Sequence, residues 1–308
     1  DSQFRYLIRL ISEKTVLFTE MIHSNAILYG NKNKLEEYSE NENPIVLQLG
    51  GNDPESLAKV SKMANMFNYD EINLNLGCPS PRVSKGGCGA AMMNHPQLVC
   101  DCLNAIKENF NKEVSVKIRL GTDDNDIDET LDNFVKEIES CGIKIFYVHA
   151  RKAILKGLSP KQNREIPPLN YERVRKLKDD FPDLEIIING GIKKLSFLQD
   201  NDLQNLDGIM IGREAYSNPL IFKDVDKKIK AELNRDISIY EITQKMFDYF
   251  ETLENESHVK RGLIHMHGLF SGHSEAKKIR VLLSNSVYLK KSKNEILSIL
   301  EKNIIEAA

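Results

Sequence analysis

Short apolar, β-rich runs that alternate with helical stretches predict an α/β fold, specifically a TIM-type (β/α)8 barrel followed by a small all-α helical domain. Two further observations narrow the class to the barrel. Polar residues gather at the carboxyl ends of the runs, and the last two runs close in glycine-rich turns, where barrels commonly bind phosphate. A doubly wound open sheet is the alternative that strand alternation alone leaves open.

The runs are TVLFTEMI (15–22), PIVLQLG (44–50), EINLNLG (71–77), VSVKIRLG (114–121), IFYVHAR (145–151), EIIINGG (185–191) and GIMIGR (208–213). Most are continuously apolar, as strands of a parallel sheet covered on both faces should be. Helices are expected between them at Pro54 to Phe67, Pro96 to Phe110, Asp128 to Cys141 and Tyr171 to Asp180. These runs give seven strands where a barrel needs eight. Phe4 to Ile11 already reads as an amphipathic helix, so the missing first strand is expected upstream of residue 1. After Asn218-Pro219 the β signal stops, and EITQKMFDYFETL and EILSILEKNII carry apolar residues at helical spacing. The expected division is a barrel over 1–234 and a helical domain over 235–308.

Composition excludes several classes. The 308 residues are 41% hydrophobic and 28% charged, an ordinary balance for a chain with a sizeable core. No apolar run reaches the roughly 18 residues of a membrane helix, so no membrane partner is expected. The net charge of −3 gives no whole-chain basic excess, so any nucleic-acid surface must be local. Five cysteines without regular spacing argue against a disulfide framework and for a reducing compartment. Cys100 and Cys102 form a C-x-C pair with no second pair to complete a zinc site. His258, His265, His267 and His273 match no metal-ligand spacing, so no metal is expected. The acidic run Asp123 to Glu129 precedes a helix and complements its N-terminal dipole.

The strongest constellation is Asn73-Leu74-Asn75-Leu76-Gly77-Cys78-Pro79-Ser80, followed by Lys85-Gly86-Gly87-Cys88-Gly89-Ala90. Cys78, between a glycine and a proline at a strand end, is held in a turn from which its thiol can point into the barrel mouth. Thiols are mostly protonated at neutral pH and can donate a proton. Gln48 closes its strand in Q-L-G-G with an amide that both donates and accepts. Lys117 lies inside an apolar run, where a charge is costly unless paired, and Arg119 alternates with it on the same side. His149 ends the next run. Asn189-Gly190-Gly191 and Gly212-Arg213 close the last two, where glycines let backbone N–H groups approach a phosphate and Arg213 supplies charge.

The motif N-L-N-L-G-C-P-S with G-G-C-G-A closely resembles the signature of the tRNA-dihydrouridine synthases, and HARKAILKGLSPKQNREIPPLNYERV (149–174) resembles their DusA subfamily. The likeness runs over essentially the whole chain. It implies an FMN-binding barrel followed by a helical RNA-binding domain. It further implies that NADPH reduces the flavin, that hydride then passes to C6 of a D-loop uracil, and that Cys78 protonates C5 as general acid. By the same resemblance Gln48, Lys117, His149, Asn189, Gly190, Gly191, Gly212 and Arg213 hold FMN, with Lys117 at the N1/C2-oxygen edge of the ring. Asn75 meets the flipped nucleotide, and Lys161, Arg164, Lys277 and Arg280 grip tRNA. A monomer with no stable protein partner is expected, cytoplasmic or in an organelle. The chain departs from the pattern in lacking the first strand, in carrying Cys88 where an aromatic residue is usual, and in placing Ile154 where Trp is typical. A flavin dehydrogenase of free pyrimidines, or a non-catalytic tRNA-binding member, are the competing readings.

Overall fold

The computed structural model describes residues 1–30, 35, 40–228, 237–284 and 291–305. Its strands are β1 (Leu17–Phe18), β2 (Ile22–His23), β3 (Ile45–Gly50), β4 (Glu71–Asn75), β5 (Glu113–Arg119), β6 (Ile145–His149), β7 (Glu185–Asn189) and β8 (Gly208–Met210). The helices are α1 (Ser2–Ile11), α2 (Ser24–Leu28), α3 (Pro54–Ala64), α4 (Pro81–Ser84), α5 (Pro96–Asn109), α6 (Glu129–Ser140) and α7 (Tyr171–Asp180). They continue with α8 (Phe197–Asp200), α9 (Arg213–Ser217), α10 (Val225–Lys228), α11 (Ile239–Glu251), α12 (Glu256–His265), α13 (Ala276–Leu282) and α14 (Lys293–Ile305).

The chain forms two compact units, Val16–Gly212 and Asp1–Thr15 with Arg213–Ala308. In the first, every strand pair is parallel, in the order β1-β3-β4-β5-β6-β7-β8, with β2 also on β3. Parallel neighbours joined by helices give the sequential βα architecture of a barrel wall. Registered residues lie on one face, so Gln48, Asn73 and Ser115 form one row, Asn75, Lys117 and Tyr147 a second, and Arg119, His149 and Asn189 a third. The opposite face carries Leu47, Leu49, Ile72, Leu74, Val116, Ile118, Phe146, Val148, Ile186 and Ile188, all buried. The helices begin on well-formed caps: Asp53 accepts from Ser56 N at 3.0 Å and Asn170 from Arg173 N at 2.9 Å.

Three expectations are corrected. The run 15–22 is not one strand. The Thr19 hydroxyl accepts from Gln48 N at 2.9 Å in place of a backbone carbonyl, and the register then resumes one residue out of step, from Phe18↔Val46 to Ile22↔Leu49. Strands β4 and β5 are not uniformly apolar: Glu71, Asn73 and Asn75, then Ser115, Lys117 and Arg119, place polar side chains on one face. Cys100 on α5 and Cys141 at the end of α6 form a disulfide, Cα to Cα 5.8 Å, so Cys78, Cys88 and Cys102 are the free thiols. Packing of α5 on α6 brings together cysteines 41 residues apart. By compactness α1 and the residues from Arg213 group with the C-terminal helices; the expected cut at 234/235 falls outside the described residues.

In the helical unit α1 is capped by Asp1, which accepts from Phe4 N at 3.1 Å and pairs with His265 Nε2 at 2.8 Å. Asp226 ties down the other end of α1, accepting from Ser12 Oγ at 2.6 Å, Glu13 N at 2.8 Å and Lys14 N at 3.1 Å. Leu7, Ile8, Met246, Phe247, Leu263, Phe270, Ile279 and Leu300 are buried in its core. A capping box, Ser238 with Glu241, starts α11. Among the described residues no helix is long and apolar enough to cross a membrane, and no group of three or more His, Cys, Asp or Glu could hold a metal.

Candidate active site

The site is built on the carboxyl ends of β3 to β8. Asn75, the last residue of β4, turns its side chain back on the loop that follows: Oδ1 accepts from Gly77 N at 3.2 Å and Cys78 N at 3.0 Å. This Asx-type turn stops the strand and fixes the direction of Cys78. The second wall of the turn is Gly89. Its φ is +65°, and a Cβ there would stand 2.5 Å from the Cys78 carbonyl, which accepts from Ala90 N at 3.0 Å. Cys78 is half-buried, and the carbonyl of Gly77 just before it takes Arg119 Nε at 3.1 Å, which puts the turn over the polar face of the sheet.

Arg119 is buried and holds three carbonyls, Gly77 O through Nε at 3.1 Å and Lys152 O and Asn163 O through Nη1 at 3.2 and 3.1 Å. It therefore clamps the Cys78 loop to the loop after β6. Burial, with Arg151 and Arg164 nearby and Cys78 opposing, lowers its guanidinium to about 10. Lys117 is half-buried; burial first and Arg119 second lower its ammonium to about 8, while Cys78 works in the other direction. Its hydrogen bond among the described residues goes to Asn189 Oδ1 at 3.3 Å, and Asn189 donates onward to Met210 O at 2.7 Å. An ammonium has three donors, so Lys117 has capacity left for an acceptor at the strand ends.

His149 is buried in register between Arg119 and Asn189. Gly190, at φ +120°, leaves room for its ring, since a Cβ would lie 2.8 Å from His149 Cδ2. Gly191, at φ +70°, gives way to Leu169 and Tyr171, and the Tyr171 hydroxyl donates to Gly190 O at 2.9 Å. Gly212 is exposed, with nothing within 4 Å of a Cβ built on it. Arg213 follows it, exposed, as the first residue of α9.

A chain of buried side chains, unforeseen in the sequence, runs along the polar face. Asn75 Nδ2 donates to Gln48 Oε1 at 2.8 Å, Gln48 Nε2 to Asn73 Oδ1 at 2.9 Å, and Asn73 Nδ2 to Ser115 Oγ at 2.7 Å. Ser115 Oγ donates to Glu71 Oε1, and the Tyr147 hydroxyl to Glu71 Oε2 at 3.3 Å. Burial pushes the Glu71 carboxyl up to about 7, with Glu185 and Glu113 adding to the rise and the Ser115 and Tyr147 bonds opposing it. Burial, the Glu71 charge and the bond to Glu71 likewise raise the Tyr147 phenol. The signal for these residues was the period-two spacing of 71, 73 and 75 and of 115, 117 and 119.

The remaining predicted residues lie on surfaces of their respective units. Lys161 and Arg164 are exposed on the loop between β6 and α7. That loop is tied by buried Asn163, which donates to Ile154 O at 2.9 Å and accepts from Ile154 N at 2.8 Å. Lys277 and Arg280 are exposed one turn apart on α13, around buried Ile279. Cys88, the second thiol, is buried, 3.5 Å from His23 Nε2 and 3.4 Å from Gly86 O, and burial raises its pKa. The acidic run also departs from a simple dipole role. Asp126 caps Asp128 N at 2.7 Å, and Asp128 lies 3.1 Å from Arg173 Nε.

Comparison with known proteins gives three findings. The family model described as dihydrouridine synthase (Dus) matches residues 1–306. The chain is 46% identical over 290 residues to the tRNA-dihydrouridine(20/20a) synthase of Shigella flexneri, covering 94% of this chain and 85% of that protein. It is 44% identical over 298 residues to the Synechocystis protein of the same name, covering 96% and 89%. Among solved structures, morphinone reductase in complex with tetrahydroNAD aligns at a TM-score of 0.50 over 77% of this chain and 84% of that one. At 12% identity that likeness concerns the fold alone.

Proposed function

The chain belongs to the dihydrouridine synthase family, and we propose that it reduces the C5–C6 double bond of D-loop uridines in tRNA, at positions 20 and 20a as its relatives' names state. The observation that carries the reading is the half-buried Cys78, in a turn that Asn75, Gly89 and Arg119 hold over the polar face carrying Lys117.

FMN fits the residues present. Gly212 leaves open space where a Cβ would stand, so a phosphate can come close to the backbone there, and Lys117 keeps donors for an electron-rich ring edge. Gln48, Lys117 and His149 would hold the ring, and Asn189, Gly190, Gly191, Gly212 and Arg213 the phosphate end. When bound, FMN supplies hydride chemistry, replenished by NADPH. The chain's own residues do the rest. The Lys117 ammonium stabilises negative charge gathered beside it. Asn75, whose Nδ2 carries a second N–H beyond its bond to Gln48, meets the polar edge of a uracil taken out of its stack. Cys78 donates a proton to C5, completing the saturation.

Lys161 and Arg164 in one unit, and Lys277 and Arg280 in the other, provide local positive charge for the tRNA backbone in a chain of net charge −3. We read the protein as a monomer, which leaves these surfaces open to tRNA, and as a protein of the cytoplasm or of an organelle that translates.

The test is mass spectrometry of nucleosides from unmodified tRNA incubated with the protein, FMN and NADPH, with free uridine and dihydroorotate as controls. Dihydrouridine in the tRNA is expected, and Cys78→Ala should bind flavin normally yet form almost none. Turnover confined to the small molecules, or full activity of Cys78→Ala, refutes the reading.

A further inference from the structure

We propose that Glu71 is a positioning residue: through Ser115, Asn73 and Gln48 its carboxylate fixes the orientation of the Asn75 amide, and so holds the turn that presents Cys78. The inference rests on the reading of Cys78 as the reacting thiol. It uses four side chains that lie between the amino and carboxyl ends of the strands.

The orientation follows from which atoms can only donate. The backbone N–H groups of Gly77 and Cys78 both point at one end of the Asn75 amide, so that end is oxygen. Its nitrogen therefore faces Gln48, which must turn its own oxygen to it and its nitrogen to Asn73. Asn73 in turn gives its nitrogen to Ser115, whose oxygen accepts and whose proton must go onward. That proton meets Glu71 Oε1, and Tyr147 delivers another to Oε2. Every bond in the row runs the same way and ends on a group that can accept at both oxygens. Such a row is cooperative.

An apolar residue at position 71 would leave the Ser115 proton without its acceptor. The opposite direction of the row would then compete, and in it the Asn75 amide can no longer offer its oxygen wholly to Gly77 and Cys78. Glu71 thus acts on the loop from the far end of β4 without touching it. Asn73 and Ser115 are fully enclosed and Glu71 nearly so, which makes an unfilled donor costly rather than a matter for water to repair.

The test is backbone hydrogen exchange of the full chain without tRNA, read on Gly77 and Cys78 with strand β7 (Glu185–Asn189) as internal control. Glu71→Met, of similar volume but unable to accept, should speed exchange at Gly77 and Cys78 about tenfold and leave β7 unchanged, roughly the factor of one charge-assisted hydrogen bond. Glu71→Gln, whose amide oxygen can still accept from Ser115, should restore protection. Ser115→Ala breaks the same row at another link and should match Glu71→Met; it decides the matter alone if the methionine variant fails to fold.

With tRNA, the two disruptive variants should lose about tenfold in the rate of dihydrouridine formation, and Glu71→Gln should keep the wild-type rate. Wild-type protection in Glu71→Met and Ser115→Ala, or loosening by Glu71→Gln equal to that by Glu71→Met, would overturn the proposal. An inactive wild-type protein would instead strike at the proposed function, while the exchange pattern would still decide the positioning role.

Discussion

Replacing Glu71 by glutamine should stabilise the barrel unit at alkaline pH and not at acid pH, by an amount its surroundings set. The folded carboxyl titrates at about 7 rather than 4.5, chiefly because it is buried. At about 1.4 kcal/mol per pKa unit, that gap corresponds to on the order of 3 kcal/mol. The sign follows from proton binding. Between 4.5 and about 7 the native state holds a proton that the unfolded chain has lost, so stability falls as pH rises through this window. The contribution is fully present below the unfolded value and gone above the folded one. Glutamine does not titrate, so the difference in unfolding free energy between Glu71→Gln and wild type should grow by about 3 kcal/mol from pH 4 to pH 8. Other groups largely cancel in that difference. Glu113 and Glu185, which repel Glu71, reinforce the trend, because removing the charge relieves them as well. Urea unfolding followed by far-UV circular dichroism at several pH values measures it, with hydrogen exchange of the β4 and β5 amides assigning the transition to this unit. A difference flat with pH, or one that shrinks toward alkaline pH, would refute the account of Glu71 as a carboxylate ionised against its burial.

Gly89→Ala forces an L side chain into φ +65° with its Cβ 2.5 Å from the Cys78 carbonyl. It should cost about 1–2 kcal/mol in urea unfolding and reduce single-turnover dihydrouridine formation at least about tenfold by displacing the thiol. The Lys117 ammonium, at about 8, is charged below that value and lost above it. FMN affinity, measured by fluorescence quenching, should therefore weaken as pH rises through this range, and Lys117→Arg should flatten the decline; a flat wild-type profile would remove the charge from the role. Lys277→Ala combined with Arg280→Ala should weaken tRNA binding and lower the salt dependence of log affinity by about 1.5–2, while NADPH oxidation is spared. Unchanged affinity at moderate salt would take α13 out of the tRNA surface.

The strand pattern was legible because parallel strands covered on both faces leave apolar runs that few other structures produce. The polar residues at their ends were legible for a similar reason: charge or amide at the edge of an apolar run must be satisfied by something. Other features depended on long-range packing. Nothing local in TVLFTEMI announces that the Thr19 hydroxyl will replace a ladder carbonyl. Cys100 and Cys141 meet only because α5 packs on α6. The helix α1 reads as amphipathic from its spacing, but the core that receives it, with Tyr6 stacked on Tyr249 at 4.2 Å, lies far along the chain. The inner row escaped because EINLN and VSVKIR were read for their hydrophobic content, and the period-two placement of their polar residues is the same signal seen from the other face.

That row also says why a barrel would keep an acid where an apolar side chain would pack. Buried ionisable groups are often replaceable by hydrophobic ones with no loss, and sometimes a gain, of stability. Glu71 is opposed by its burial and by two neighbouring carboxylates at neutral pH. A residue selected for the fold alone would not be expected there. What glutamate supplies is an acceptor facing Ser115, the property that makes Ser115 donate and hence sets the sense of every amide up to Asn75. The two experiments on position 71 are therefore linked. If glutamine gains stability at pH 8 while protecting Gly77 and Cys78, and methionine folds while exposing them, the acceptor at position 71 is present for direction rather than for strength. If methionine protects the turn as well as glutamate does, the amides orient themselves from the backbone end alone, and the carboxylate needs another explanation.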